Sequence, residues 1–341
     1  MRLTQQVLPI KFCKKLSLRA GKSVNNSIFK ISKIPLDLYI IKYIMNLVLD
    51  SKLVLLQTHY WLVHSPTPFA LAIFFEISYH ISPFSFFLEI MNNLELERLL
   101  NEKLSTDRIN DYAPNGLQVE GKAEIKKIIT GVTASQALID YAVAQQADAV
   151  IVHHGYFWKS ENPCIRGMKG KRIKTLLVND INLYGYHLPL DVHPELGNNA
   201  KLAQLLGIDD LQPLENSSTS IPVWGTLKEP VTAEAFAQRI EQVLQRKPLI
   251  CTENGPHLIH KIGICTGGGQ GYIDLAAAQG CDAFITGEVS EQTIHSAREQ
   301  GIHFFAAGHH ATERYGIKAL GKWLTAEYGL DVEFKDIDNP A

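Results

Sequence analysis

The sequence predicts an α/β protein built as two related lobes, with mixed sheets flanked by helices. Three observations carry that expectation. An internal duplication runs through the core, Val- and Ile-rich runs alternate with Ala-rich stretches, and polar clusters fall just where the apolar runs end.

The duplication is read first, because self-similarity at a fixed offset decides fold class. Ile139 to Ile151 reads I-D-Y-A-V-A-Q-Q-A-D-A-V-I, and Ile273 to Ile285 reads I-D-L-A-A-A-Q-G-C-D-A-F-I. Eight of the 13 positions are identical at a constant offset of 134, without a gap. A strand-like run precedes each copy, Lys127 to Val132 in the first and Lys261 to Cys265 in the second. A short turn, an Ala-rich helix and an apolar strand follow, so each copy is a β-turn-α-β unit. A further strand comes next in both, Ile181 to Tyr186 and Ile302 to Ala306.

The polar clusters sit at the ends of these strands. His153 and His154 close the apolar run Ala147 to Val152 and are followed by Gly155. Asp191 lies past the third strand of the first copy, and His309 and Glu313 lie past its counterpart in the second. Chemistry in helix-covered sheets gathers outside the carboxyl ends of the strands. Three imidazoles and two carboxylates form a mixed N/O set suited to a divalent transition metal, or to two. His309 and Glu313 are four apart at the start of a helix-patterned run, so they share one helical face. His187 and Glu288 are candidates for fixing imidazole tautomers or moving protons, whereas His193, His295, His303 and His310 read as structural or surface residues.

Here the sequence resembles a known family. The stretches D-Y-A-P-N-G-L-Q-V-E-G (111–121), G-V-T-A-S (131–135), I-V-H-H-G-Y-F-W (151–158) and Y-H-L-P-L-D-V-H-P-E-L-G-N-N (186–199) are similar to the Nif-three-like family. So are T-G-E-V-S-E-Q (286–292) and A-A-G-H-H-A-T-E-R (306–314). Members often carry the label "GTP cyclohydrolase I type 2 homolog", and the short bacterial ones match best, over Met91 to Ala341. The resemblance implies a dinuclear metal site made by His153, His154, Asp191, His309 and Glu313. It also implies two similar α/β lobes and a ring-shaped homohexamer with its metal sites facing an internal cavity.

Composition divides the chain. Residues 1–90 hold one of the 24 Gly, eight of the 14 Phe, and ten Lys/Arg against four Asp/Glu, a net of +6. Residues 91–341 hold 23 Lys/Arg against 31 Asp/Glu, a net of −8. A secretory signal does not fit the polar, basic residues 1–27. A membrane anchor needs about 20 largely uncharged apolar residues. The windows 34–56 and 69–90 are broken by Asp37, Lys42, Asp50 and Lys52, and by Glu76, His80, Pro83 and Glu89. An organelle-targeting segment and an overlong reading frame remain, and the second is expected, with Met91 as the start of an amphipathic helix. The division read from sequence is therefore an extension (1–90), a first lobe (91–215) and a second lobe (216–341) whose C-terminal ligands return to the shared site.

Five Cys (13, 164, 251, 265, 281) without C-x-x-C spacing argue against a thiolate zinc site and fit a reducing cytoplasm. The −8 core argues against duplex binding, which rests on neutralised phosphates. Thr266 to Gly271 (T-G-G-G-Q-G) matches neither the dinucleotide fingerprint nor the P-loop, leaving a ligand-proximal turn or a simple tight turn. Lys159 to Lys174 holds six basic residues, to position a phosphorylated substrate or to form a solvated face. The functional expectation is a two-metal hydrolase acting on a small substrate, with Glu313 or Asp191 bridging two divalent ions of the Zn, Fe, Mn or Ni type. The competing expectation is a non-enzymatic metal-binding or regulatory ring.

Overall fold

The structure is a computed structural model that describes residues 91–217 and 219–341. The expectations for residues 1–90 lie outside these. In chain order the elements run β1 (Met91–Asn92), α1 (Asn93–Leu104), β2 (Gly116–Val119), β3 (Glu124–Ile125), β4 (Lys127–Thr133), α2 (Gln136–Ala144) and β5 (Ala149–His154). They continue with α3 (Gly167–Val178), β6 (Asn182–Gly185), α4 (Leu188–Val192), α5 (Asn198–Leu206), β7 (Ile208–Pro213), β8 (Val223–Val231) and α6 (Ala233–Leu244). The remainder is β9 (Leu249–Cys251), β10 (Ile259–Cys265), α7 (Ile273–Ala278), β11 (Ala283–Thr286), α8 (Glu291–Gln300), β12 (His303–Ala306), α9 (His309–Tyr328) and β13 (Asp331–Phe334).

Two mixed sheets result. One has the order β13-β4-β5-β6-β2, with β13, β4, β5 and β6 parallel and β2 antiparallel at the edge. The other has the order β7-β8-β10-β11-β12-β9, with β10, β11 and β12 parallel and the outer strands antiparallel. Strands β1 and β3 pair separately.

Alternation explains why both faces of the first sheet need helices. Ile128, Ala149, Ile151 and Tyr184 pack to one side, with α1 (Leu96, Leu100) and α9 (Ile317, Leu320, Leu324). Ile129, Val150, Val152 and Leu183 pack to the other, with α2 (Leu138, Ala142) and α3 (Ile173, Leu176). The period of two sends neighbours to opposite faces, and an apolar residue at every step makes both faces core. The second sheet does the same: Ile262, Ile264, Ile285 and Phe305 meet α6, while Phe284 and Phe304 meet α7 and α8.

An aspartate sits inside each duplicated apolar run, and the structure explains it. Asp148 Oδ2 accepts the backbone N–H groups of Lys126 (2.7 Å) and Lys127 (2.8 Å), and Asp282 Oδ2 accepts those of His260 (2.9 Å) and Lys261 (2.8 Å). Each therefore satisfies two donors at the start of the neighbouring strand. The first of these strands consequently starts at Ala149, two residues later than the apolar run. It also ends two residues later, because His154 still pairs with Thr133 of β4.

Two elements cross the boundary expected at residue 215. Strand β7 lies before it yet joins the second sheet, and β13 lies after it yet pairs with β4 in the first. The reason is α9: it leaves β12 of the second sheet and lays Ile317, Leu320 and Leu324 on the first, so the chain that follows completes that sheet. All of this belongs to one compact unit. Among the described residues no helix is long and apolar enough to cross a membrane.

Candidate metal centre

Strand β5 delivers His153 and His154 at its carboxyl end, with ring centroids 4.5 Å apart. His153 is fully buried. The short helix α4 brings Asp191, and the first turns of α9 bring His309 and Glu313. These five residues, separated by up to 160 positions, meet at one place. Glu313 is its centre: Oε1 lies 3.5 Å from His153 Nε2, and Oε2 lies 3.3 Å from both His154 Nε2 and His309 Nε2. Asp191 Oδ1 lies 3.6 Å from His153 Nε2.

The other nitrogen of each imidazole is already engaged. His153 Nδ1–H donates to the Tyr186 carbonyl at 3.0 Å. His309 Nδ1 faces Glu288 Oε1 at 2.7 Å, and His154 Nδ1 faces Thr133 Oγ1 at 3.2 Å. Engaging Nδ1 turns Nε2 inward, the usual way a protein prepares histidine ligands. Asp191 is held in turn by Asn198 Nδ2 at 2.8 Å.

The residues present fit a metal. Glu313 Oε2 is buried and has no hydrogen-bond partner among the described residues, a costly arrangement unless a cation satisfies it. Three overlapping groups bring one donor atom per residue within 4.8 Å: His153-Asp191-Glu313, His154-His309-Glu313 and His153-His154-His187. All are imidazole or carboxylate. Glycine at 267 makes room for them, because a Cβ there would collide with Glu313 Oε1 and come within 3.0 Å of His309 Nε2. The T-G-G-G-Q-G run is thus a turn pressed against the cluster.

Charges within the cluster are strongly coupled. Burial opposes a charge on His153, but Asp191 and Glu313 outweigh it and bring its pKa up to about 9. His309 is also brought up to about 9, as Glu313 and Glu288 overcome burial. His154 falls to about 3, chiefly through burial. Burial raises Asp191, while the three facing imidazoles hold Glu313 well below the usual carboxylate range despite its burial.

A comparison with known proteins supplies the family. The family model described as Duf34/NIF3 (NGG1p interacting factor 3) matches residues 91–340. This chain belongs to the Duf34/NIF3 family. Within it, the chain is 84% identical over 251 residues to the "GTP cyclohydrolase 1 type 2 homolog" of Haemophilus influenzae, covering 74% of this chain and all of that protein. It is 64% identical to the protein of the same name from Escherichia coli K12, again covering 74% of this chain and all of the relative. Among solved structures, the one described as "protein ybgI, unknown function" shares 64% identity at a TM-score of 0.72, covering 74% of this chain and all of that one. TTHA1606 from Thermus thermophilus shares 35% at a TM-score of 0.66, with the same coverage.

Several residues of this Duf34/NIF3 site escape a search for ligand spacing. Asp111 and Asn115 lie in a loop before β2 and lock His187: Asp111 Oδ1 faces His187 Nδ1 at 2.9 Å, and Asn115 Oδ1 accepts the His187 backbone N–H at 2.8 Å. Tyr112 and Trp158 flank the same histidine, with ring centroids 5.0 and 4.9 Å away. The signal for the loop was its Asx-turn chemistry, since Asp111 Oδ1 also accepts the N–H of Ala113 at 3.1 Å. In the Lys159–Lys174 segment, Lys169 pairs with Glu161 at 3.3 Å, and Lys159 donates its backbone N–H to the Tyr112 carbonyl at 2.8 Å. Three of the other histidines have polar partners: His303 meets the Pro256 carbonyl at 2.7 Å, His310 meets Asp336 at 2.7 Å, and His193 Nδ1 accepts two backbone N–H groups.

Proposed function

We propose that this protein binds two divalent metal ions and hydrolyses a small, phosphorylated or nucleotide-like substrate. The observation that carries the reading is Glu313, whose two oxygens face three inward-turned Nε2 atoms while Oε2 lacks a hydrogen bond among the described residues. His153, His154, Asp191, His309 and Glu313 would hold the ions, and Glu313 belongs to two of the three donor groups. When bound, such ions supply Lewis acidity and a low-pKa water at neutral pH.

The chain's own residues orient and exclude. Glu288, Thr133 and the Tyr186 carbonyl set the imidazole tautomers, and Asn198 holds Asp191. His187, with Nδ1 committed to Asp111, keeps Nε2 for proton transfer.

The site lies between two lobes of duplicated origin in this reading. Two features support it: β4-β5-β6 and β10-β11-β12 are parallel triplets in the same order, and Asp148 and Asp282 make equivalent contacts. A homohexamer and a cytoplasmic location complete the proposal. The four described cysteines are all free thiols, which suits a reducing compartment.

The test is turnover of a panel of phosphoesters, nucleotides and cyclic amides by the chain loaded with Mn, Fe or Zn. Turnover abolished by chelation and restored by metal supports the hydrolase. Full metal occupancy with no turnover across the panel would favour the non-catalytic ring. Light scattering in solution at a mass other than six chains would remove the hexamer.

A further inference from the structure

Beside the ligand cluster two aromatic rings stand outside every packed core. Tyr112 is 55% exposed and Trp158 is half-buried, and neither contributes to the four hydrophobic clusters that hold the sheets and helices together. Their centroids are 5.7 Å apart with a 37° tilt, so they form one bent aromatic floor rather than a sandwich. That floor runs into the metal centre. Both rings meet His187 edge-on, at interplanar angles of 74° and 80°, and Trp158 lies 6.0 Å from His154.

Polar contacts within its two loops hold the floor in place. Trp158 Nε1–H donates to the Gly155 carbonyl at 3.2 Å, fixing the indole. The Tyr112 backbone is held from both sides, its N–H by Asp111 Oδ1 at 2.7 Å and its carbonyl by the Lys159 N–H at 2.8 Å. Gln118 joins the two loops, accepting the Tyr156 N–H at 2.7 Å and donating to the Pro114 carbonyl at 2.8 Å. Two large rings fixed in place but left out of the core add little to folding. Pre-fixed aromatic surface is instead what lowers the ordering cost of binding a flat ligand.

We propose that Tyr112 and Trp158 seat a planar heteroaromatic ring of the substrate, next to the metal ligands. The proposal rests on the metal-hydrolase reading for the identity of the neighbouring site. Flat π-faces stack on such rings irrespective of their hydrogen-bonding edges, so the floor selects ring shape while the cluster selects the reacting group. The Tyr112 hydroxyl, without a hydrogen bond among the described residues, is available to an edge atom of the ligand.

The experiment is calorimetric titration of the metal-loaded chain with nicotinamide, guanosine and pterin, against ribose and glycerol as controls without an aromatic ring. At least one aromatic probe is expected to bind more tightly than both controls. Tyr112→Ala and Trp158→Ala should each weaken it at least about tenfold, the change equivalent to about 1.4 kcal/mol of lost stacking. Tyr112→Phe and Trp158→Phe keep a π-face and should stay within about threefold of the parent. Metal content measured on the same samples separates the two readings: full metal with no aromatic preference overturns the ring seat alone, and ring binding without metal overturns the metal site alone. Equal affinity for aromatic and non-aromatic probes, or alanine variants that bind like the parent, would overturn the proposal.

Discussion

Asp111 and His187 are 76 residues apart, yet Oδ1 of one lies 2.9 Å from Nδ1 of the other. The aspartate also accepts the Leu188 N–H at 2.9 Å and the Asn115 side chain at 3.0 Å, so it anchors both the loop before β2 and the start of α4. Burial alone would raise its pKa, but His187 and Asn115 bring it down to about 2. A folded-state pKa below the unfolded value means stability that is present above about pH 4 and is lost as the pH falls towards 2. Asp111→Asn should therefore lower stability at neutral pH by about 1.5–3 kcal/mol, the range for hydrogen bonds to a charged group. Urea unfolding should show that deficit shrinking below about pH 4, and a deficit independent of pH would refute the ionised role.

Gly267 has φ +64°, and its missing Cβ leaves the space that Glu313 occupies. Gly267→Ala should cost about 1–2 kcal/mol of backbone strain, because L side chains disfavour the left-handed region. It should also displace the carboxylate, so metal content should fall further than the modest loss in melting temperature suggests. Ala at 267 with full metal occupancy would show that the close approach is unimportant.

Asp148 and Asp282 perform one structural task in two places. Asp148→Ala and Asp282→Ala should each destabilise by about 1.5–3 kcal/mol through the lost hydrogen bonds to the carboxylate, without altering metal content at saturating metal. Chemical denaturation with parallel elemental analysis checks both halves. Asp148 is also held below the usual carboxylate range, with Lys122 and two backbone donors overcoming burial, so its contribution too is lost as the solution becomes acidic.

The five ligand candidates could be read from sequence because strand ends are visible: a Val/Ile run stops and imidazoles begin. The structure brings all five together. What sequence concealed was any contact formed by tertiary closure alone. Asp111 and Asn115 look like ordinary turn residues until β2 sets their loop against His187. The exchange of β7 and β13 between sheets was hidden because short, half-exposed strands carry no distinctive period. Position 287 shows the limit from the other side. It aligns with His153 in the duplication yet is Gly, and the reason lies in space: a Cβ there would come within 2.6 Å of the Gly267 carbonyl and the His309 Cα. A side chain is excluded at 287, and the imidazole on this side, His309, arrives through α9 instead.

The most direct test of the metal centre is elemental analysis of the parent chain, His153→Ala and His309→Ala, loaded and washed identically. About two divalent ions per parent chain are expected, as in two-metal hydrolytic sites, with the loss of at least one from each variant and helical content unchanged. Unaltered metal content in both variants would contradict this.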